Sequence, residues 1–347
     1  MTLNTALRGI HVPLITPLTA DGRLATDALE QLAHDVLAEG ATGIVALGTT
    51  AEAATLAETE RRAVIDVCAR VCRERDATLI IGAGSNDTRA SATALAQLAA
   101  WPDVTAALVP VPYFTRPTHA GVLAHFTHLA ATSPVPLIVY HVPYRTGQQL
   151  DAACLRALGR LPGIVGVKYA VGGIDPHAVE LLGDLPPDFA VLAGDDLFVS
   201  PLLALGATGG ILASAHLATG RFTELAAAWL SGDLPRARDL GHRLSALSAA
   251  AFAEPNPTVI KGVLHAQGHI PTPNVRLPLL PAGQDTINQA LKQLADLPAQ
   301  PGSGPTITLE ANYRPQAQQL RMMTQDVTND QWNSSLLAWP PKRHSNP

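Results

Sequence analysis

Lysine is scarce in this chain. Of its 24 basic residues only Lys168, Lys261, Lys292 and Lys342 are lysines, and arginine carries the rest. Charge of either sign is thin, with Asp, Glu, Lys and Arg at 15% and a net charge of −5 over 347 residues. No Arg/Lys cluster interleaved with aromatics occurs, so there is no electrostatic reason to expect a nucleic acid or an anionic membrane as partner. Apolar runs fall far short of the roughly 20 residues a membrane helix needs. The opening "MTLNTALRGIHVPLITPLTADG" is interrupted by Asn4, Arg8 and His11, so no secretory leader is expected. Cysteine is rare too. Cys68, Cys72 and Cys154 form no CxxC pair, which fits reduced thiols packed in the core of a cytoplasmic protein. Aromatics make up only 4%, so a core must come from the aliphatic part of the 47% hydrophobic content.

What is present is a rhythm. Short β-rich runs at 10–16, 43–48, 77–84, 105–110, 136–142, 163–169, 189–194 and 208–214 alternate with longer helical patterns. The runs are apolar on both faces, as in parallel strands covered on both sides. Helical stretches such as "DTRASATALAQLAA" and "DAACLRALGRL" open on Asp or Thr, the residues favoured at N-caps. Eight such repeats followed by more helix predict an α/β chain folded as a (β/α)8 TIM barrel, with a doubly wound open sheet as the alternative. The expected divisions are a barrel over 1–220, a C-terminal helical appendage over 221–297 and a low-order tail over 298–347. In the tail the alanine richness fades and periodicity is lost.

One of the four lysines ends an apolar strand. In "GIVGVKYAVGG" (163–173) the run closes on Lys168, where a solvating charge has little use. A lysine amine in an apolar wall has its charged form disfavoured, so a neutral nucleophilic fraction exists near neutral pH. It can attack a ketone carbon and lose water, and the resulting protonated imine draws electrons from the neighbouring carbon. Barrel chemistry collects at the C-terminal strand ends, and those ends supply the other parts. Tyr140 in "VYHVPYRTG" suits a proton shuttle, and Thr49 in "GTTAEAATL" can hydrogen-bond the phenol and relay its proton. Amides around Thr50 can cradle a carboxylate, and Arg145 suits a second carboxylate through its bidentate fork.

These motifs, in this order, resemble the dihydrodipicolinate synthase / N-acetylneuraminate lyase family of pyruvate-dependent class I aldolases. The anchors are "GTTAE", "PYFTRP", "YHVPYRTG", "GVKYA", "AGDD" and "EPNP" followed by Lys261, and the resemblance runs from about Ile10 to about Leu297. It implies Lys168 as the Schiff-base lysine, Tyr140 as proton donor and acceptor, and Thr49 as relay. It further implies that Thr50 and Ile211 hold pyruvate through their backbone, with Gly194 of "AGDD" bordering the substrate. Tyr113 matches a tyrosine that in many members reaches a neighbouring subunit's site, which implies a homodimer or homotetramer. Arg145 matches the arginine that binds the aldehyde's carboxylate in the synthase branch.

The implied activity is condensation of pyruvate with L-aspartate semialdehyde to 4-hydroxytetrahydrodipicolinate. No metal or organic cofactor is expected, because the covalent imine through Lys168 is the electron sink. Three positions depart from the family pattern: Ala51 for glycine, His141 for asparagine and Tyr169 for an acidic residue. His141 and Tyr169 are expected to flank the catalytic pair, which keeps open an aldolase acting on a 2-keto sugar acid. A catalytically silent keto-acid-binding barrel is a third reading. "GAGSN" (82–86) lacks the third glycine of a dinucleotide loop and reads as a tight turn. His125 and His128 read as a solvent-facing pair on one helix. Asp195 and Asp196 read as acidic residues favoured at a helix N-terminus.

Overall fold

A computed structural model describes residues 6–298. Apart from Pro298, the expected tail lies outside the described residues. Eight strands follow the predicted order: β1 Gly9–Pro13, β2 Gly43–Ala46, β3 Thr78–Gly82, β4 Val104–Pro110, β5 Leu137–His141, β6 Ile164–Tyr169, β7 Ala190–Ala193 and β8 Gly209–Ile211. Each pairs in parallel with its sequence neighbour, and β8 returns to β1 through Gly9↔Gly209 and His11↔Ile211. The sheet is a closed barrel, which removes the open doubly wound alternative. At the closure Gly209 has no room for a side chain, since a Cβ there would meet the Gly9 carbonyl oxygen at 1.9 Å.

Several strands stop short of the runs read from sequence. The run 10–16 ends as strand at Pro13, and 43–48 ends at Ala46. The reason is burial beyond the ladder. Leu14, Ile15 and Leu47 stay within 5% exposure in the loops that follow, so hydrophobicity does not mark where pairing ends.

Between the strands lie α1 Thr26–Ala38, α2 Glu58–Arg75, α3 Thr88–Gln97, α4 His119–Thr132, the single turn α5 Pro143–Thr146, α6 Ala152–Gly159, α7 Pro176–Gly183 and α8 Val199–Ala204. Side-chain caps form at several helix starts, although Thr26 lies inside α1 after an Ala25 that makes none. Asp87, Thr118, Asp151 and Asp175 accept from the N–H of Ala90, Gly121, Cys154 and Ala178, each contributing about 1 kcal/mol. His125 on α4 is a correction to the sequence reading. It is 5% exposed and its Nδ1 bonds Thr88 Oγ1 at 2.9 Å, because α3 covers that face of α4; His128 does face solvent. Cys68, Cys72 and Cys154 are free and buried, and burial pushes each thiol up.

After β8 the chain forms α9 Ala215–Ser231, α10 Leu234–Ala251, α11 Thr258–Ala266 and α12 Gln284–Ala295. Helix α9 packs against β1 and runs across the division placed at 220/221. Two apolar layers result. Leu7, Val45, Ile80, Leu108, Ile138, Tyr140, Leu192 and Ile211 cluster together, while Val139, Val167, Tyr169 and Val191 pack with the helices. Adjacent strand residues point to opposite faces, so the first set fills the barrel and the second lies outside it. Among the described residues no helix is long and apolar enough to cross a membrane.

Candidate active site

Strands β5 and β6 pair in a register that sets Tyr140 beside Lys168, near the C-terminal end of the barrel. Tyr140 belongs to the interior cluster, and the Lys168 Nζ lies 4.6 Å from the centroid of its ring. Lys168 is 7% exposed, and burial drops its amine to about 8; Asp196 and Asp195 pull the other way, and Arg145 adds to the drop. A neutral fraction of about one in ten at pH 7 follows from that value. Burial also pushes the Tyr140 phenol up to about 12, opposed by Arg145 and by a side-chain hydrogen bond with Thr49. The phenol is therefore protonated at neutral pH and can donate.

Thr49 and Thr50 stand in a 3₁₀ turn, Thr49–Ala51, directly after β2. Thr49 is exposed at the mouth and Thr50 is buried, its Oγ1 accepting from Asn256 Nδ2 at 3.0 Å. A cavity of about 590 Å³ opens here, and its wall includes Thr49, Tyr113, Tyr140, Arg145 and Asn256. Lys168, Thr50, Gly194 and Ile211 are not part of that wall. The Tyr140 ring, which Lys168 Nζ faces at 4.6 Å from its centroid, does line that wall. Arg145 sits on α5 with its guanidinium 5.5 Å from the Tyr144 ring centroid and is exposed. Tyr113 is 40% exposed, and Ile211, on β8, is fully buried inside the barrel.

Gly194 has a specific steric role. A Cβ at this position would fall 2.8 Å from Lys168 Cγ and 3.0 Å from Cε, so the glycine leaves the space that the lysine stem occupies. Gly194→Ala should displace the amine and cut turnover by about 10²-fold, the cost of a misplacement near 1 Å. Gly173→Ala, in open space, is the control. Steady-state assays of the two variants check this, and equal turnover would remove the role assigned to Gly194.

Two sequence expectations are corrected. His141 and Tyr169 pair with each other in the same register, one step on from Tyr140 and Lys168, and so point out of the barrel. The Tyr169 hydroxyl donates to Asp175 Oδ1 at 2.6 Å, and its ring meets the His141 ring edge-on at 5.6 Å. They do not flank Tyr140 and Lys168 inside the barrel. Nor do Asp195 and Asp196 act as helix-opening acids alone. Asp196 is 3% exposed and accepts from the Ser214 N–H at 2.5 Å, while Asp195 accepts from the Gly172 N–H at 2.5 Å. The two carboxylates thus tie the loop after β7 to those after β8 and β6, and burial raises Asp196 to about 6.

Sequence reasoning missed Asn256 and Asp196 as parts of this site. The doublet in "AGDD" was visible, but its partners lie 18 and 23 residues away, and Asn256 meets Thr50 across 206 residues. Among the described residues no group of three or more His, Cys, Asp or Glu side chains is arranged to hold a metal.

The comparisons with known proteins agree with this fold. The model of the dihydrodipicolinate synthetase family matches residues 6–297. A 4-hydroxy-tetrahydrodipicolinate synthase of Neisseria gonorrhoeae is 37% identical over 294 residues, covering 84% of this chain and 100% of that one. The structure of a chloride-inhibited dihydrodipicolinate synthase from Acinetobacter baumannii, complexed with pyruvate, is 34% identical with a TM-score of 0.79, covering 84% and 100% of the two chains. A monomeric dihydrodipicolinate synthase variant is 28% identical with a TM-score of 0.80, over 85% and 98%. With a matching barrel and a family match over nearly all the described residues, the chain belongs to the dihydrodipicolinate synthetase family.

Proposed function

We propose that this protein is a Schiff-base lyase that condenses pyruvate with L-aspartate semialdehyde to give 4-hydroxytetrahydrodipicolinate. The observation that carries the reading is the buried Lys168 amine, lowered to about 8 and set against the Tyr140 ring. Lys168 Nζ attacks the ketone carbon of pyruvate, and water leaves as the protonated imine forms. Loss of a methyl proton gives an enamine, with Tyr140 as acceptor and Thr49 as relay to the mouth. The enamine carbon then bonds to the aldehyde carbon, and Tyr140 returns a proton to the new alkoxide. Attack of the substrate's own amine on the imine carbon releases Lys168 and closes the ring. Amides at the Thr50 turn and Ile211 hold the pyruvate carboxylate. No metal or organic cofactor enters this scheme.

The reading as a sugar-acid aldolase loses its motive with His141 and Tyr169 outside the barrel. A silent binding barrel is disfavoured by the joint retention of Lys168, Tyr140 and Thr49. We infer a cytoplasmic homodimer or homotetramer. The support is the exposed aromatic surface at the mouth, where Tyr113, Phe114 and Tyr144 are 40%, 88% and 60% exposed.

Arg145 tests the second substrate. A charged hydrogen bond to the aldehyde's carboxylate contributes about 1.5–3 kcal/mol, so Arg145→Ala should weaken the aldehyde step by about ten- to a hundred-fold. Borohydride trapping of the pyruvate imine should proceed almost unchanged, and Arg145→Lys should restore only part of the loss. Kinetics with a panel of aldehydes, with and without a carboxylate, checks this. An aldehyde step untouched by Arg145→Ala would contradict aspartate semialdehyde as the partner.

A further inference from the structure

The second of the chain's lysines is also buried, and the mechanism leaves it unused. Lys261 on α11 is fully buried, and its Nζ donates to Glu52 Oε1 at 2.6 Å and to the Asn274 carbonyl at 2.7 Å. Glu52 Oε2 accepts from the Arg276 N–H at 2.8 Å, so both carboxylate oxygens are held by the C-terminal region. Glu52 itself stands in the left-handed region at φ 54, immediately after the Thr49–Ala51 turn, and its N–H closes that turn on the Thr49 carbonyl. A left-handed non-glycine residue persists only where its surroundings over-determine it.

Stability alone is a poor reason for such a pair. Removing two charges from water costs several kcal/mol per ion, and apolar replacements of buried pairs are often neutral or stabilising. Nor is the pair needed to fasten the segment, because the Arg276 guanidinium already bonds Glu60 and the carbonyls of Gly22 and Thr55. What the pair adds is a fixed position for Glu52. Around it, Asn256 holds the Thr50 hydroxyl from α11's side, and Thr16 Oγ1 donates to the Ala51 carbonyl at 2.7 Å from the other.

We propose that Lys261 and Glu52 are a positioning pair that holds the Thr49–Thr50 turn against Tyr140, so that the C-terminal helical region sets the pyruvate end of the active site. The inference rests on the roles given above to Thr49 and Thr50. Its consequence is a split in the kinetics. Freeing the turn should raise the KM for pyruvate and slow imine trapping, while the later aldehyde step should keep its own selectivity.

The test pairs Glu52→Gln with Lys261→Met, which removes both charges and leaves neither unpaired. The double variant should melt near the wild-type temperature, with pyruvate trapping slowed about ten-fold or more and the pyruvate KM raised. Arg221→Met, which breaks a less buried pair with Glu224 on α9, is the control and should keep its trapping rate at matched stability. A folded double variant with wild-type trapping and KM overturns the proposal. So does an equal loss in the Arg221 control, which would make general destabilisation the cause. If the double variant does not fold, Asn256→Ala decides: a raised pyruvate KM supports the clamp, and an unchanged one overturns it. Wild-type trapping, measured alongside, separates failure of this proposal from failure of the imine reading.

Discussion

Lys168→Ala should abolish turnover, with a loss of about 10⁴-fold or more, because among the described residues no other lysine amine stands beside Tyr140 for the covalent step. Lys261 is fully buried and committed to Glu52 and Asn274. Lys292 lies on α12, in the appendage that follows the barrel. The fold should survive, since deletion removes a desolvated amine that costs stability whenever it is charged. The same amine sets a pH dependence. Only its neutral form attacks, and burial lowers it to about 8, so the trapping rate of the wild type should climb as pH rises from 6, bend near 8 and level off above about 9. Initial rates of trapping across that range check this. A rate still climbing steeply at pH 10 would mean that the amine is solvated and ordinary.

Tyr140→Phe should lower turnover by the roughly 10²–10⁴-fold that follows loss of a general acid–base. The ring that packs against Lys168 is kept, so the melting temperature should barely move. With the phenol pushed up to about 12 by burial, the wild type rests protonated through the physiological range, passing its proton to Thr49 as it accepts the methyl proton and giving one to the developing alkoxide. The variant lacks that donor at every pH. Its loss should therefore be uniform from pH 7 to 9, and pre-steady-state measurements should place it after imine formation as well as during it. Near-normal turnover would show that another group moves the protons. His141 and Tyr169 are poor candidates, being turned out of the barrel.

Much of this was legible because barrel strands are short, apolar and evenly spaced, and because a lysine ending such a strand is conspicuous among four. Strand ends alone single out Lys168, Tyr140 and Thr49 as candidates. The outward turn of His141 and Tyr169 was legible as well, once Tyr140 and Lys168 were taken as inward, because neighbours along a strand face opposite ways. It was masked by the apolar character of both faces, which erases the alternation that marks a half-exposed strand. The buried His125 was hidden in the same way, since its helix face is covered by a neighbouring helix that no local pattern announces. Contacts across 206 and 209 residues, Asn256 to Thr50 and Lys261 to Glu52, carry no local signal. Only closure of the barrel and the return of α11 to its mouth bring those pairs together.

The central claim is that Lys168 forms an imine with pyruvate. Incubation of the intact protein with pyruvate and borohydride, followed by peptide mapping, measures it directly. The account predicts one covalent adduct per chain, on Lys168, with activity lost in proportion to labelling. An adduct on Lys261 or Lys292, or full activity with no adduct at all, would contradict it.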